Sequence, residues 1–249
     1  NKFIVATSST SVGEAKIGTV SGTSISFGSA ASYNGHTTTA HVRFNPATAN
    51  QVILSYADNA SSQYGTSRIG TVSGTSISYG TEYVFNSAAS LDNVMAVSKT
   101  GKFVVVWGGN PGNSIIGTIS GTAISYGTAV NFISAFTQSL NVSFDPVTTD
   151  RFVVIYEDSQ NSNYGTARVG TVSGSSISYG TKAAYTTTIT TVVGLSFDPN
   201  ASGMFAVAYN AGAANGTAVI SQLPATVVTT NLTSTNFVGM PDEAYASGA

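Results

Sequence analysis

The chain is predicted to be all-β, a β-propeller of about five four-stranded antiparallel blades. Three observations lead there: a phrase repeated four times, residue patterns of strand period inside each repeat, and chain ends that carry complementary parts of one repeat. The phrase occupies residues 17–28, 69–80, 116–127 and 169–180, and its Ser-Gly glycines, Gly22, Gly74, Gly121 and Gly174, are spaced by 52, 47 and 53 residues. A repeat of that length is one supersecondary unit that cannot bury its apolar face alone, so the array is the folding unit.

Within the third full copy, residues 140–146 alternate apolar and polar, and residues 151–156 form a nearly continuous β-branched and aromatic run. A polar loop follows, then strand-like text at 164–172 and, past Ser173-Gly174, at 175–179. These are four strands, A to D in chain order. Helical spacing is nowhere sustained, and the density of Gly, Ser and Thr opposes helix formation. Asn45-Pro46, Asp145-Pro146 and Asp198-Pro199 mark tight A–B turns, in which the Asx side chain accepts from the backbone two residues on. Each Ser-Gly pair lies between two β-rich runs and marks a C–D hairpin, with glycine supplying a positive φ. The segments between D and the next A, such as 86–91 and 186–190, are the least uniform and are expected to be connections of variable length between sheets.

The ends of the chain predict closure. Residues 2–6 match strand B, followed by C at 14–20 and D at 23–27, so the first repeat lacks its A strand; residues 236–242 (NFVGMPD) resemble A-strand text. One blade therefore comprises about 1–28 plus 235–242. Complete blades are expected at 37–86, 91–133, 138–186 and 191–232, making a single domain over 1–249. A ring closed by its N- and C-terminal strands leaves no exposed edge.

Composition narrows the function. Of 249 residues, 42% are hydrophobic and 26 are glycine, enough for one large core. Only 8% are charged and the net charge is −2, which offers no grip on phosphate backbones or anionic lipid. The apolar runs are strand-length, so neither nucleic acid nor membrane insertion is expected. With no cysteine, disulfide frameworks and thiolate metal sites are absent.

The repeat text, Phe-Asp-Pro at 144–146, YEDSQNSNYGTA at 156–167 and GTVSGSSISYGT at 170–181, resembles the repeats of tail-fibre and virion appendage proteins of marine bacteriophages. The closing text of residues 231–249 is similar to a junction that leads into further β-rich domains in such proteins. The resemblance implies one module of a longer fibre: a virion structural protein on the exposed surface, with other virion proteins and a host surface glycan or receptor as partners, and with oligomerisation open. The alternative expectation is a bacterial surface or secreted adhesin that forms extracellular filaments.

No catalytic constellation emerges, and no enzyme activity or cofactor is expected. The two histidines, His36 and His41, need not converge. Glu157 and Asp158, with Asp58 and Asn59 in the equivalent B–C loop, offer oxygen donors for Ca²⁺, the one ion considered, although neither loop follows an alternating acidic pattern. Lys16, Arg68 and Arg168 take one repeat position, with Ile115 and Val219 elsewhere, and are expected to solvate an outer strand. Arg43 lies on a predicted inner strand, where it could hold an anion or pair with a carboxylate. Tyr56, Trp107, Tyr156 and Tyr209 recur at one place on strand B, which favours packing between blades over sugar stacking. Tyr64 and Tyr164, beside glycines at the B–C turns, are the candidates for a ligand-contacting rim.

Overall fold

The computed structural model describes residues 1–9, 11–90, 92–211, 215–223 and 230–231. They form five antiparallel blades arranged as a β-propeller. Blade one comprises β1 (Lys2–Thr7), β2 (Gly13–Ser21), β3 (Ser24–Phe27) and β4 (Ala31–Asn34); blade two comprises β5 (Thr37–Phe44), β6 (Gln51–Asp58), β7 (Tyr64–Ser73) and β8 (Ser76–Ala89). Blade three comprises β9 (Val94–Val97), β10 (Phe103–Trp107), β11 (Gly112–Ser120), β12 (Ala123–Tyr126) and β13 (Val130–Ile133). Blade four holds β14 (Asn141–Phe144), β15 (Arg151–Asp158), β16 (Tyr164–Ser173), β17 (Ser176–Tyr179) and the first half of β18 (Ala183–Phe197). The second half of β18 opens blade five, which continues through β19 (Met204–Ala211), β20 (Asn215–Gln222) and β21 (Thr230–Asn231).

Local chemistry sets the turns. Asn45, Asp145 and Asp198 accept from the amides of Ala47, Val147 and Asn200 at 3.0, 2.9 and 2.8 Å, the Asx geometry that holds the A–B turns. In each C–D hairpin the glycine is the first of two turn residues and the only one with positive φ, +59° at Gly74 and +62° at Gly121, which is the type II′ pattern.

The outer strand differs from expectation. It does not end after the repeated phrase but bends and rejoins strand C: β4 pairs with β2, β13 with β11, and β8 runs on to Ala89 along β7. Blade one thus extends beyond the expected boundary at 28. Residues 86–89 and 186–190, expected as connection, are strand, and β18 passes from blade four into blade five unbroken. The reason is that register shifts within the outer strand let a single chain segment turn the corner while keeping its backbone hydrogen bonds. The predicted closing strand at 236–242 lies outside the described residues.

The blades bury their faces against one another. Four clusters fill the four described joints, and each is built around one aromatic pair from adjacent blades: Tyr33–Tyr56, Phe85–Trp107, Phe132–Tyr156 and Tyr185–Tyr209, with ring centroids 5.2, 5.4, 5.1 and 5.2 Å apart. The fixed strand-B position of the second partner therefore reports packing between blades, as its recurrence predicts. Each first partner lies over a glycine of its own blade. A Cβ on Gly13, Gly65, Gly112 or Gly165 would fall 2.2–2.7 Å from the ring of Tyr33, Phe85, Phe132 or Tyr185. The glycine inside the repeated phrase has a similar duty: a Cβ on Gly18, Gly117 or Gly170 would meet the ring of Phe3, Phe103 or Phe152 at 2.2–2.3 Å.

Polar clamps reinforce each joint. The residue at the start of strand B reaches the hairpin tip of the next blade: Lys2 donates to the Gly74 carbonyl at 2.7 Å, Gln51 to that of Gly121 at 2.8 Å and Lys102 to that of Gly174 at 2.8 Å. At the fourth joint Arg151 takes this place, pairing with buried Asp145 at 2.6 Å and reaching Ser202 of blade five, while Asp145 also accepts from the Gly203 amide. Burial opposes ionisation of Asp145, but the Arg151 guanidinium and the Val147 and Thr148 amides outweigh it and hold the carboxyl below its ordinary range. On blade one, Val5, Val20, Ile25 and Phe27 are exposed on the face turned away from blade two.

Gly117→Ala is expected to destabilise the protein by about 1–3 kcal/mol through collision with Phe103, read from denaturant unfolding. An unchanged midpoint would show that the ring moves aside freely.

Candidate ligand groove between blades

Arg68 and Arg168 do not solvate an outer strand, and for these two that expectation is corrected; Lys16 is exposed on β2. Arg68 crosses to blade one, donating from Nη1 to the Tyr33 carbonyl and from Nε to the Gly80 carbonyl at 2.6 Å. Arg168 crosses to blade three in the same way, with Nη1 to the Phe132 carbonyl at 2.6 Å and Nε to the Gly180 carbonyl at 2.8 Å. Each guanidinium also lies over a tyrosine ring, Tyr79 at 5.6 Å and Tyr179 at 5.3 Å. The bent outer strand brings a neighbour's carbonyl within reach, a geometry invisible in residue spacing. At the same repeat position Ile115 joins the apolar cluster beside Trp107 in blade three, and Val219 the cluster of Tyr209 in blade five.

The two arginine joints differ in what meets the strand-B tyrosine. Between blades one and two, Glu82 follows Gly80-Thr81, and its Oε1 accepts from Tyr56 at 2.8 Å, from Asn34 at 3.1 Å and from Arg68 at 3.4 Å. Between blades three and four, Lys182 stands in the position of Glu82. It turns to the Asp158 carboxylate at 2.7 Å and the Gln160 side-chain oxygen at 3.3 Å. The consequence falls on Tyr156: its side chain is fully buried and its hydroxyl has no hydrogen-bond partner, whereas Tyr56 donates to Glu82. Burial raises the pKa of Tyr156, with the Asp158 charge adding to the rise and Arg168 opposing it.

Above this joint lies an open groove of about 520 Å³, lined by Phe132, Ile133, Ser134, Gln160, Arg168, Tyr179 and the run 180–182. Its charged lining groups are Arg168 and Lys182. Among the described residues Arg168 has no carboxylate within ion-pair distance, while Lys182 is neutralised by Asp158. One guanidinium charge is therefore uncompensated, over the half-buried Tyr179 ring, in a groove with a hydroxyl and amide rim.

The other candidates are placed as follows. Asp158, like Asp58, is buried and caps a one-turn 3₁₀ segment, accepting from the Gln160 amide at 3.0 Å. With Lys182 on its other oxygen, that carboxylate serves structure. Glu157 lies on β15 and accepts from Gln138 at 3.4 Å. No group of three His, Asp or Glu side chains converges on a metal position among the described residues. Tyr64 and Tyr164 open β7 and β16 and are half-buried, away from the groove lining. Arg43 is exposed on β5 and donates to the Val42 carbonyl at 2.9 Å; the expected carboxylate partner is not found among the described residues. His41, on the same strand, follows a bulge at which Thr39 takes a φ of +45°, held by Asn93 of the next blade at 3.0 Å. Burial, then the charge of Arg43, hold His41 below the ordinary histidine value of 6.5, against smaller opposing effects of Asn93 and Asp92.

Two outcomes follow. Tyr56→Phe is expected to cost about 1 kcal/mol by removing a charge-assisted hydrogen bond, while Tyr156→Phe stays within about 0.5 kcal/mol because no bond is lost; paired urea melts measure both, and equal losses would show that the hydroxyls have equal partners. As pH falls, unfolded His41 takes up a proton before folded His41 does, so stability is lost below about pH 6.5. Melting temperature should fall between pH 7 and 5 in the parent and less in His41→Gln; parallel curves would assign the loss to other groups.

No protein-family model and no curated protein sequence matches this chain. Solved structures do. A protein provisionally described as a 6-phosphogluconolactonase, from Bacteroides uniformis, is 9% identical, with a TM-score of 0.68 over 92% of this chain and 67% of that one. Sqt1 of Chaetomium thermophilum is 11% identical, with a TM-score of 0.54 over 86% of this chain and 51% of that one, so the chain spans about half of its length. The Aleuria aurantia lectin bound to α-methyl-L-fucoside is 10% identical, with a TM-score of 0.48 over 88% and 74% of the two chains. At these identities the likeness is one of fold.

Proposed function

We infer that the chain is a non-catalytic binding module, a rigid propeller that presents a groove between blades to a surface glycan or protein. The observation that supports this most is the commitment of the well-placed carboxylates. Glu82 serves the first joint, Asp145 the fourth, and Asp158 a turn cap and Lys182. General acid–base chemistry needs carboxyl groups free to face a substrate with separated proton affinities. What the groove at the third joint offers is an unmatched guanidinium, the half-buried Tyr179 ring and a polar rim, which suits recognition.

The setting is proposed from the repeat text. Its resemblance to tail-fibre and virion appendage repeats supports a virion surface module that works beside other virion proteins and touches the host envelope. A filament-forming bacterial adhesin would use the same uncharged, Ser/Thr-coated ring.

Immunogold electron microscopy of the source preparation, with antibody against this chain, tests the setting. Label on phage tails or capsids is expected. Label on cell envelopes or free filaments would overturn the virion reading and favour the adhesin. Turnover of phosphorylated sugar lactones by the purified chain would overturn the non-catalytic reading.

A further inference from the structure

We propose that the groove between blades three and four binds an acidic saccharide, with the sugar carboxylate taking the place that the Glu82 carboxylate occupies in the repeat-equivalent joint between blades one and two. The inference rests on the binding-module reading and names its ligand class.

The chain contains its own comparison. The two joints share the ring pair (Tyr33–Tyr56 and Phe132–Tyr156), the guanidinium that crosses to the neighbouring carbonyl (Arg68 and Arg168) and the tyrosine beneath it (Tyr79 and Tyr179). In the first joint a carboxylate completes the set, accepting from the buried-ring hydroxyl and the guanidinium together. In the joint between blades three and four the carboxylate is missing: the Tyr156 hydroxyl, buried against the lining residue Phe132 rather than open to the groove, has no acceptor among the described residues, and Arg168 keeps N–H groups beyond the two bonds that it makes. A buried donor without an acceptor costs free energy that an incoming acceptor returns. The substitution that removes the internal carboxylate also introduces a second cation, Lys182, at the groove rim. An anion entering there meets Arg168 unopposed and Lys182 balanced by Asp158, a net attraction.

The rest of the lining selects a sugar over a bare anion. Ser134, Gln160 and Thr181 give hydroxyl and amide partners around the opening, and the half-buried Tyr179 ring gives an apolar surface, with Phe132 and Ile133 buried behind it. A pyranose has these two aspects, a hydroxylated edge and an apolar C–H face. A flat carboxylate, like the internal one, accepts from a guanidinium and a hydroxyl at once.

The test is a glycan array that includes neutral, uronate-bearing and sialylated oligosaccharides, probed with the full chain and with Lys182→Glu and Tyr156→Phe. Lys182→Glu installs the carboxylate of the first joint. It is expected to abolish binding of acidic glycans in a chain that keeps its fold by circular dichroism, the bond gained by Tyr156 offsetting part of the ion pair lost by Asp158. Tyr156→Phe, which retains the fold, is expected to weaken the same glycans about 10-fold. Uronate and sialate arms identify which carboxylate geometry fits. Glycan binding that survives Lys182→Glu, or that is confined to neutral sugars, would overturn this ligand assignment and leave the binding module intact. Absence of any glycan binding by a folded chain that still labels virions would overturn the assignment too, and would direct the module toward a protein receptor.

Discussion

Each blade of this propeller has two apolar faces and too little thickness to shelter either. Everything else follows from the need to stack. The stack is keyed by one ring from the outer strand of each blade, laid over a glycine of its own strand C and against an aromatic of the next blade. Glycine at Gly65 or Gly112 is therefore a space for a ring, and the ring in turn sets how closely two sheets approach. Because the same key recurs at four joints, the blades share a common spacing, and the polar reaches of Lys2, Gln51 and Lys102 to the next hairpin tip fall at common distances. Non-local packing of this kind makes the blade array cooperative: a single repeat has no partner for its key.

Repetition also makes the departures informative. At the first and third joints strand B carries tyrosine and strand C arginine; at the second Trp107 goes with Ile115, and at the fourth Tyr209 goes with Val219. Among joints with both, one encloses a carboxylate and the other does not. The groove at the third joint is thus a variant of the first, with Lys182 in place of Glu82 and Ile133 in place of Asn34 on the same scaffold. Its donors are held by contacts that serve folding first, which keeps them in place with or without an occupant.

Much of the fold was legible before any coordinates. Alternation and β-branched runs marked the strands, Asx-Pro pairs the A–B turns, and Ser-Gly pairs the hairpins, because each is a local backbone effect that acts within a few residues. The recurrence of Tyr56, Trp107, Tyr156 and Tyr209 pointed to packing between blades for a related reason: a core repeats when the architecture repeats. The bent outer strand was not legible. Residues 86–89 and 186–190 read as connection since their text, Asn-Ser-Ala-Ala in one and threonine-rich in the other, differs between repeats, and their strand form depends on pairing with strand C.

The candidate site divides along the same line. Residue types and repeat positions alone identified Arg68 and Arg168 as equivalent and set Asp158 beside a turn. Whether a guanidinium faces water or a neighbouring carbonyl, whether a tyrosine hydroxyl finds an acceptor, and whether Lys182 differs from Glu82 in consequence were decided by the tertiary structure. Those outcomes depend on groups from two blades meeting at distances of a few ångströms. Local propensity carries the repeat, and only the stacking of repeats decides which of their side chains are left wanting a partner.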